Sequence, residues 1–339
     1  MKERVLSVEN LSVAFRTETG DAQAVRGITF HLEKGEALAL VGESGCGKSA
    51  TAKALMGLLP ANAKATGGKV FYGGRDALKL SEKELCALRG DKIAMVFQDP
   101  FSSLDPIVRV GKQLMEAMLI KNPVRRRQGL PLITKGQAKL RALTLMREVG
   151  IEDAERRFRS YPFEFSGGMR QRIVIAIALA ADPEILICDE PTTALDVRVQ
   201  AQIVDLIRRL QKERGLSVVF ITHDLGVVAS IADRVAVMYA GKIVEYGKSQ
   251  EIFYDARHPY TWALLASSPS LATGGRRPAI AGSPPDLNRK IQGDAFAPRN
   301  PHAMKIDFEK EPPFFQVSDT HFAATWLLHP YSPKVEKEG

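Results

Sequence analysis

The chain has 339 residues, enough for a large core and more than one domain, and its 45% hydrophobic and 25% charged content is that of an ordinary soluble globular protein. Its longest apolar run, residues 173–181, is too short for a membrane-spanning helix, which needs about 20 residues. The formal net charge of +8 suits anionic partners, but the arginine clusters at 125–127 and 156–157 lack interleaved aromatic residues. Solvated helix faces explain these clusters better than nucleic-acid binding.

The first ten residues contain no apolar signal region. We therefore expect a cytosolic protein that a partner could hold at a membrane. Three cysteines show neither paired nor metal-ligand spacing and are interpreted as reduced thiols: Cys46, Cys86 and Cys188.

The first 60 residues alternate strand and turn signals. Two strands and a turn are predicted at Val5–Val8, Ser12–Phe15 and Glu18–Asp21. A short apolar run, Ala37–Val41, predicts a buried strand that leads into a glycine-rich loop at 42–49. Ser49–Leu59 then reads as a helix that ends at Pro60.

Between about Asp99 and Phe165 the apolar spacing becomes helical. Helices are predicted at Val110–Leu119 and Leu140–Val149, with a basic loop between them at Pro123–Pro131. Buried parallel strands are predicted at Ile185–Cys188, Val218–Thr222 and Val235–Tyr239, and a helical face at Ile203–Leu210. After about Glu251, prolines cluster and helical periodicity fades, but aromatic residues persist. This pattern predicts a separate, irregular extension that is folded.

The glycine-rich segment follows the predicted buried strand and opens the predicted helix. Its glycines allow backbone N–H groups to turn inward around phosphate oxygens, and Lys48 would reach the β- and γ-phosphates. Ser49 would bind Mg²⁺, and the helix would point its positive end at the anion. The predicted phosphate site consists of Gly42, Glu43, Ser44, Gly45, Cys46, Gly47, Lys48, Ser49 and Ala50.

Two carboxylates stand at the end of the predicted strand at Ile185–Cys188. Asp189 is placed to hold Mg²⁺, usually through water, and Glu190 is placed to polarise an attacking water. Carboxylates in such a buried place are costly unless a metal or substrate uses them, although a capped strand end is the simpler alternative.

The segment Phe165-Ser-Gly-Gly-Met-Arg-Gln-Arg172 precedes a predicted helix. Its start could be a plain helix cap, or it could present free N–H groups to a phosphate, through Ser166, Gly167 and Gly168. The segment resembles the signature motif of the ATP-binding-cassette family, usually written LSGGQ, with Phe165 for leucine and Met169 for glutamine. This variant is similar to the one in the ATPases of peptide importers.

The other motifs of that family occur in order. Phe15 matches the aromatic A-loop position that stacks on adenine, with Val25 as its neighbour. Gln98 matches the Q-loop, Ala194-Leu-Asp196 matches the D-loop, and His223 matches the switch histidine. Each has an ordinary alternative: Phe15 and His223 could be core residues, and Gln98 could be a polar residue on the surface.

The resemblance implies an α/β fold, a P-loop NTPase cassette with a RecA-like parallel-sheet core, an antiparallel β subdomain and a helical subdomain, followed by an irregular C-terminal extension. The expected parts are the core with the β subdomain at 1–98, the helical subdomain at 99–165, the signature helix and rest of the core at 166–250, and the extension at 251–339.

The resemblance also implies a mechanism. Two such domains pack head to tail around two ATP molecules, and Ser166 and Gly168 contact the γ-phosphate of ATP held by the partner. The residues expected to carry catalysis are Lys48, Gln98, Glu190 and His223. The expected Mg²⁺ ligands are Ser49, Gln98 and Asp189, and Asp196 is also expected at the nucleotide.

The tail narrows the assignment. His258-Pro-Tyr-Thr261 resembles the start of the C-terminal extension of oligopeptide and dipeptide importer ATPases. Many relatives hold an iron–sulfur cluster there with four cysteines, whose matching positions in this chain are Asp294, Asn300, Asp307 and Thr325. None is a thiol, so no such cluster is expected. A substitute metal site remains a minor alternative, formed by His302, Asp307, His321 and His329.

The sequence therefore predicts the ATP-hydrolysing subunit of an oligopeptide importer, peripheral on the cytoplasmic side of the cell membrane. The expected partners are a second related ATPase in a head-to-tail heterodimer, two membrane permeases and an extracellular peptide-binding protein, without nucleic acid. One alternative is the same machinery carrying nickel or modified peptides. A second is a soluble cassette ATPase acting on nucleic acid or ribosomes, but the chain has one cassette, no zinc spacing and no heptad arm.

Overall fold

A computed structural model describes residues 3–18, 20–127, 129–193, 195–268 and 280–335. The chain divides into a first unit, Met1–Leu78 with Val219–Gly339, and a second unit, Lys79–Val218. Some predictions lie partly outside the described residues, namely residue 19 of the predicted turn, Ala194 of the D-loop, and 269–279 and 336–339 of the extension.

The strands, in chain order, are β1 (Arg4–Thr17), β2 (Gly20–Glu33), β3 (Ala37–Val41), β4 (Ala63–Tyr72), β5 (Arg75–Asp76), β6 (Ile93–Val96), β7 (Ile185–Asp189), β8 (Ser217–Thr222), β9 (Arg234–Tyr239), β10 (Lys242–Lys248), β11 (Phe315–Gln316) and β12 (Phe322–Ala323). The helices are α1 (Lys48–Met56), α2 (Glu82–Leu88), α3 (Val110–Leu119), α4 (Asn122–Arg127), α5 (Lys135–Glu148), α6 (Ala154–Arg157), α7 (Gly167–Leu179), α8 (Val197–Arg214), α9 (Leu225–Ile231), α10 (Ser249–Tyr254), α11 (Pro259–Ser267) and α12 (Lys305–Glu309).

One sheet of the first unit is antiparallel, with strand order β2-β1-β4-β5. The prediction of two separate strands near the N-terminus is wrong, because β1 runs through both without a break. Asn10 has a positive φ of 50° and marks a register shift between the paired strands. Its N–H donates to the Thr29 hydroxyl at 3.0 Å, which keeps the bulge bonded and lets pairing continue beyond it.

The second sheet of the first unit places β3 next to β9 in parallel. β10 pairs antiparallel with β9, and β12 and β11 of the predicted extension continue antiparallel from β10. Every residue of β3 is buried, as expected for a strand covered on both faces. The predicted strands at 37–41 and 235–239 are confirmed. Their core includes Val41, Val237, Tyr239, Tyr260 and Phe296.

The second unit pairs β6 with β7 in parallel and packs α3, α5 and α7 against one another. The predicted helices at 110–119 and 140–149 are confirmed, and β8 carries the chain from this unit into the first. The loop predicted at 123–131 is partly wrong, since α4 occupies its first residues. Pro123 is tolerated in the first turn of a helix, and the Asn122 side chain bonds the backbone of Ile133 in both directions.

Helix α1 ends earlier than predicted, at Met56 instead of Leu59. Gly57 has a left-handed φ of 62°, its N–H donates to Ala54 O, and the N–H of Leu58 donates to Lys53 O. This pair of bonds satisfies the last carbonyls and closes the helix before Pro60 is reached. Among the described residues, none of the helices combines the length and apolar character that crossing a membrane requires.

Candidate nucleotide site

The glycine-rich loop joins β3 to α1, the strand-to-helix context that the sequence predicted. Gly42 has a φ of 150°, and a Cβ placed there would lie 2.1 Å from the carbonyl oxygen of Met238. The loop backbone therefore runs against β9 so closely that a side chain cannot fit. This close approach explains why the position holds glycine, and it fixes where the loop begins.

Lys48 is the first residue of α1 and is only 4% exposed. Its Nζ donates to the carbonyl oxygens of Gly42 at 2.8 Å and Glu43 at 3.0 Å, so the ammonium lies inside the loop. The N-cap is Gly47, and the first turn of α1 carries no acidic residue. A buried cation beside the N-terminal N–H groups of a helix suits a phosphate. Of the other predicted residues, Ser44 and Gly45 are exposed, and Ser49 and Ala50 are half-buried.

Cys46 lies within this loop and is buried. Burial raises the pKa of its thiol, although the neighbouring Lys48 ammonium, 3.7 Å from Sγ, acts in the opposite direction. The thiol is therefore protonated at neutral pH and contributes packing and not negative charge to the phosphate site.

Three further predicted residues lie in the first unit. Phe15 is half-buried on β1, opposite Ala22 of β2. Val25 is fully buried and faces Val13 in the same sheet, so it belongs to the core beneath the strand pair. His223 is exposed and directly follows β8, where Asp224 caps the start of α9.

In the second unit, β7 ends at Asp189, whose side chain is buried, and Glu190 follows with a left-handed φ of 46°. Gln98 Nε2 donates to Glu190 Oε2 at 3.1 Å, and the Thr193 hydroxyl donates to the same oxygen at 2.9 Å. The structure thus brings Gln98 and Glu190 together, as the sequence predicted for one site. The sequence analysis did not predict Thr193 as a partner of Glu190. The available signal was its position three residues after that carboxylate, in the segment that turns back from β7.

The signature segment begins α7, with Ser166 as N-cap: its Oγ accepts from Met169 N at 3.3 Å. Asp196 likewise caps α8 and accepts from Val199 N at 3.0 Å. A Cβ on Gly168 would lie 2.4 Å from a methyl carbon of Val199, and one on Gly167 would touch Leu195 at 3.5 Å. The cap interpretation and the phosphate interpretation are compatible, because capped helices retain other free N–H groups in the first turn.

The four positions matched to cluster cysteines lie in the first unit and are all buried: Asp294, Asn300, Asp307 and Thr325. Each side chain accepts a hydrogen bond from a nearby backbone N–H, namely those of Phe296, His302, Met304 and Leu327, at 3.0, 2.9, 2.7 and 3.3 Å respectively. Burial, together with the nearby Asp294 carboxylate, raises the pKa of Asp307. These side chains stabilise short turns.

The structure does not gather the four residues named for a substitute metal site into one group. Across the described part of the chain, no three His, Cys, Asp or Glu side chains are placed to share a metal ion. His321 Nε2 lies 2.8 Å from Glu245 Oε1, His329 packs against Trp326, and His302 packs edge-on against Trp262. The three imidazoles therefore take part in separate contacts, one polar and two aromatic.

Comparison with known proteins is consistent with both regions. Residues 25–193 match the family described as "ABC transporter", and residues 244–306 match "Oligopeptide/dipeptide transporter, C-terminal region". The chain is 56% identical to the oligopeptide transport ATP-binding protein OppD of Bacillus subtilis over 98% of its own length and 91% of that protein. It is also 56% identical to the dipeptide transport ATP-binding protein DppD of Lactococcus lactis, over 98% and 94% of the two chains.

Two solved structures share the fold of the cassette region. The dimeric ATP-binding cassette MJ0796, bound to ADP and phosphate after hydrolysis, superposes with a TM-score of 0.63 at 27% identity, over 72% of this chain and 98% of that one. The cbiO1 protein of Clostridium perfringens, described as part of the cbiONQ transporter complex, gives a TM-score of 0.61 at 27% identity, over 75% and 92%.

Proposed function

This chain belongs to the ATP-binding-cassette family of transporter ATPases, and from that premise we propose that it couples ATP hydrolysis to the uptake of oligopeptides. The observation that carries the cargo assignment is the second matched region, residues 244–306, which is the C-terminal region of oligopeptide and dipeptide transporters. Relatives named for oligopeptide and dipeptide transport match across nearly the whole chain, which supports the same assignment.

In the first unit, Lys48 and the N–H groups around it hold the nucleotide phosphates. The buried ammonium already lies within the loop, and the first turn of α1 directs its N–H groups toward the same space. Phe15 offers a half-buried ring to adenine, and His223 lies at an exposed strand end where it can reach a phosphate. The loop backbone, with the glycines that allow it, fits a phosphate better than any other ligand class.

In the second unit, Glu190 polarises the attacking water. Gln98 and Thr193 both donate to one carboxylate oxygen, which orients the side chain for this role. Amide and carboxylate oxygens suit Mg²⁺, and in this unit Gln98 and Asp189 would supply them. Bound Mg²⁺ would neutralise charge on the β- and γ-phosphates.

The proposed assembly has two cassettes, two permeases and an extracellular peptide-binding protein, with this chain on the cytoplasmic side of the membrane. Ser166 and Gly168, at the start of α7, contact ATP held by a second, related ATPase, and Asp196 lies at the same interface. Capped helix N-termini of this kind favour phosphate, which supports the assignment. We also propose the division into parts at 1–98, 99–165, 166–250 and 251–339.

The decisive experiment compares Lys48→Ala with Lys53→Ala in cells that depend on this chain for peptide uptake. Both lysines are on α1, but only the ammonium of Lys48 is bonded inside the loop. Lys48→Ala should lower ATP hydrolysis and uptake of a labelled oligopeptide by about 100-fold, while Lys53→Ala stays within about twofold of wild type. ATPase assays and transport assays measure the two effects.

An unchanged ATPase rate in Lys48→Ala would refute the role of the loop. Lost ATPase activity with normal peptide uptake but reduced nickel uptake would keep the mechanism and change the cargo. Proteins that copurify from membranes provide a second test, since a related ATPase and permeases are expected, and ribosomes in their place would favour the soluble alternative.

A further inference from the structure

The C-terminal region of the first unit contacts the phosphate-binding loop through Arg299. Its two terminal nitrogens donate to the two carboxylate oxygens of Glu43, at 2.6 and 3.0 Å. Arg299 is 4% exposed and Glu43 is 26% exposed at the side chain, so the ion pair is largely shielded from water. A bidentate, charge-assisted pair of this kind fixes orientation as well as distance.

A second contact from the same region reaches the backbone of Glu43. The N–H of Glu43 donates to the hydroxyl oxygen of Tyr260 on α11 at 2.8 Å, and the Tyr260 side chain is fully buried. The carbonyl oxygen of Glu43 accepts from Lys48 Nζ at 3.0 Å. Glu43 therefore connects the extension, through its side chain and amide, to the lysine that lies in the loop.

The guanidinium of Arg299 is itself held from several sides. It also donates to the Tyr239 hydroxyl at 3.2 Å and to the Ala281 carbonyl oxygen at 2.7 Å, and it packs over the ring of Phe296. The hydrogen bonds that Arg299 donates to Glu43 raise the pKa of Arg299, so the guanidinium stays charged. A buried cation with this many partners is costly to displace, which makes the contact a fixed support for the loop.

We propose that Arg299 and Tyr260 are positioning residues that set the ATP affinity of the phosphate-binding loop. Arg299 holds the side-chain carboxylate of Glu43, and Tyr260 holds its backbone N–H. Loosening either contact frees the Glu43 carbonyl and so lets the Lys48 ammonium leave the place where it meets phosphate. This inference rests on the proposed phosphate-binding role of residues 42–49. It assigns the extension a part in nucleotide binding in addition to any part in assembly.

Titration calorimetry on the full-length chain with the slowly hydrolysed analogue ATPγS and Mg²⁺ tests this. We expect Arg299→Gln to weaken binding about tenfold, and Arg299→Lys and Tyr260→Phe to weaken it about threefold. Lysine retains the charge but not the bidentate geometry, and phenylalanine retains the ring but not the acceptor. In ATPase assays on the assembled transporter, KM for ATP should rise in the same order, with kcat within about twofold of wild type.

Arg289→Gln is the matched control, because Arg289 is an exposed arginine of the same region. The affinity of this variant for ATPγS should equal that of wild type. In the Glu43→Gln background, Arg299→Gln should cause little further loss, since the pair is already broken. Hydrogen exchange should show faster exchange of the Glu43 amide in Tyr260→Phe than in wild type.

Wild-type affinity in Arg299→Gln and Tyr260→Phe, at unchanged melting temperature, would overturn the inference. If Arg299→Gln does not fold, Tyr260→Phe decides alone. Lys48→Ala distinguishes a failure of the phosphate-binding assignment from a failure of the positioning role. Normal ATPγS binding in that variant means the loop assignment has failed, whereas lost binding there with normal binding in Tyr260→Phe means only the positioning role has failed.

Discussion

The cassette motifs and the C-terminal extension keep their shapes by different kinds of interaction. The loop at 42–47 is shaped by backbone: a buried strand, glycines with positive φ and the start of a helix. The described residues 280–335 contain the short elements α12, β11 and β12, and their turns are held by polar side chains that accept from backbone N–H groups. The first kind of order depends on neighbours in sequence, and the second on buried side chains at specific positions.

The attachment of the extension to β10 also depends on a buried polar side chain, here between residues far apart in sequence. Glu245 is fully buried, and its carboxylate accepts from the backbone N–H groups of Arg257 and His258 and lies 2.8 Å from His321 Nε2. A buried carboxylate is tolerated only with such partners. The comparison teaches that a polar substitution should act on chemistry in the cassette and on stability in the extension, except at Arg299 and Tyr260, which contact the phosphate-binding loop.

Glu190→Gln gives the largest expected effect on the cassette side of this comparison. It should lower ATP hydrolysis by about 100-fold or more in the assembled transporter and leave ATP binding intact, because the amide cannot accept the proton of the attacking water. The matched acid-to-amide change in the extension, Asp307→Asn, should keep the ATPase rate within about twofold. Normal turnover in Glu190→Gln would contradict the base assignment.

Thr325→Val is expected to destabilise the extension by an intermediate amount. Thr325 is 1% exposed, and its hydroxyl accepts from the N–H of Leu327, so the change removes the acceptor at nearly constant volume. The free energy of unfolding should fall by about 1 kcal/mol, measured by chemical denaturation. Thr144→Val on the exposed face of α5 is the control, and an equal loss in both variants would show that the buried turn bond adds nothing.

Asp307→Asn should have the smallest effect, a rise in melting temperature of about 1–2 °C near neutral pH. The pKa of Asp307 is raised in the folded state, so its ionised form disfavours folding, and the wild-type chain regains stability as pH falls through that raised pKa. The advantage of the asparagine should therefore shrink from about pH 8 toward about pH 4.

Scanning fluorimetry across that pH range measures the difference between Asp307→Asn and wild type. Asp319→Asn, at an exposed position of the extension, should show no such trend. An asparagine variant less stable than wild type near neutral pH would mean that the Asp307 carboxylate is held as an ion by partners stronger than the cost of burial.

Local sequence patterns were sufficient to predict much of the cassette's secondary structure. The apolar run 37–41 and the glycines after it predicted β3 and the loop before α1, because strand burial and turn geometry depend on adjacent residues. The same local reasoning predicted a loop where α4 lies, because the Asn122–Ile133 bonds that stabilise the segment span 11 residues and leave no local signal. It also predicted two strands where β1 is continuous, and it placed the end of α1 at Leu59 instead of Met56.

The order and spacing of the motifs predicted the family and ATP hydrolysis by themselves, since phosphate binding and water activation need particular residue types at the ends of strands and the starts of helices. Only the tertiary structure decided which side chains support them. Thr193 beside Glu190, and Arg299 and Tyr260 on Glu43, are pairings that sequence spacing does not specify. The last two join residues 256 and 217 positions apart, and folding alone brings such groups within hydrogen-bonding distance.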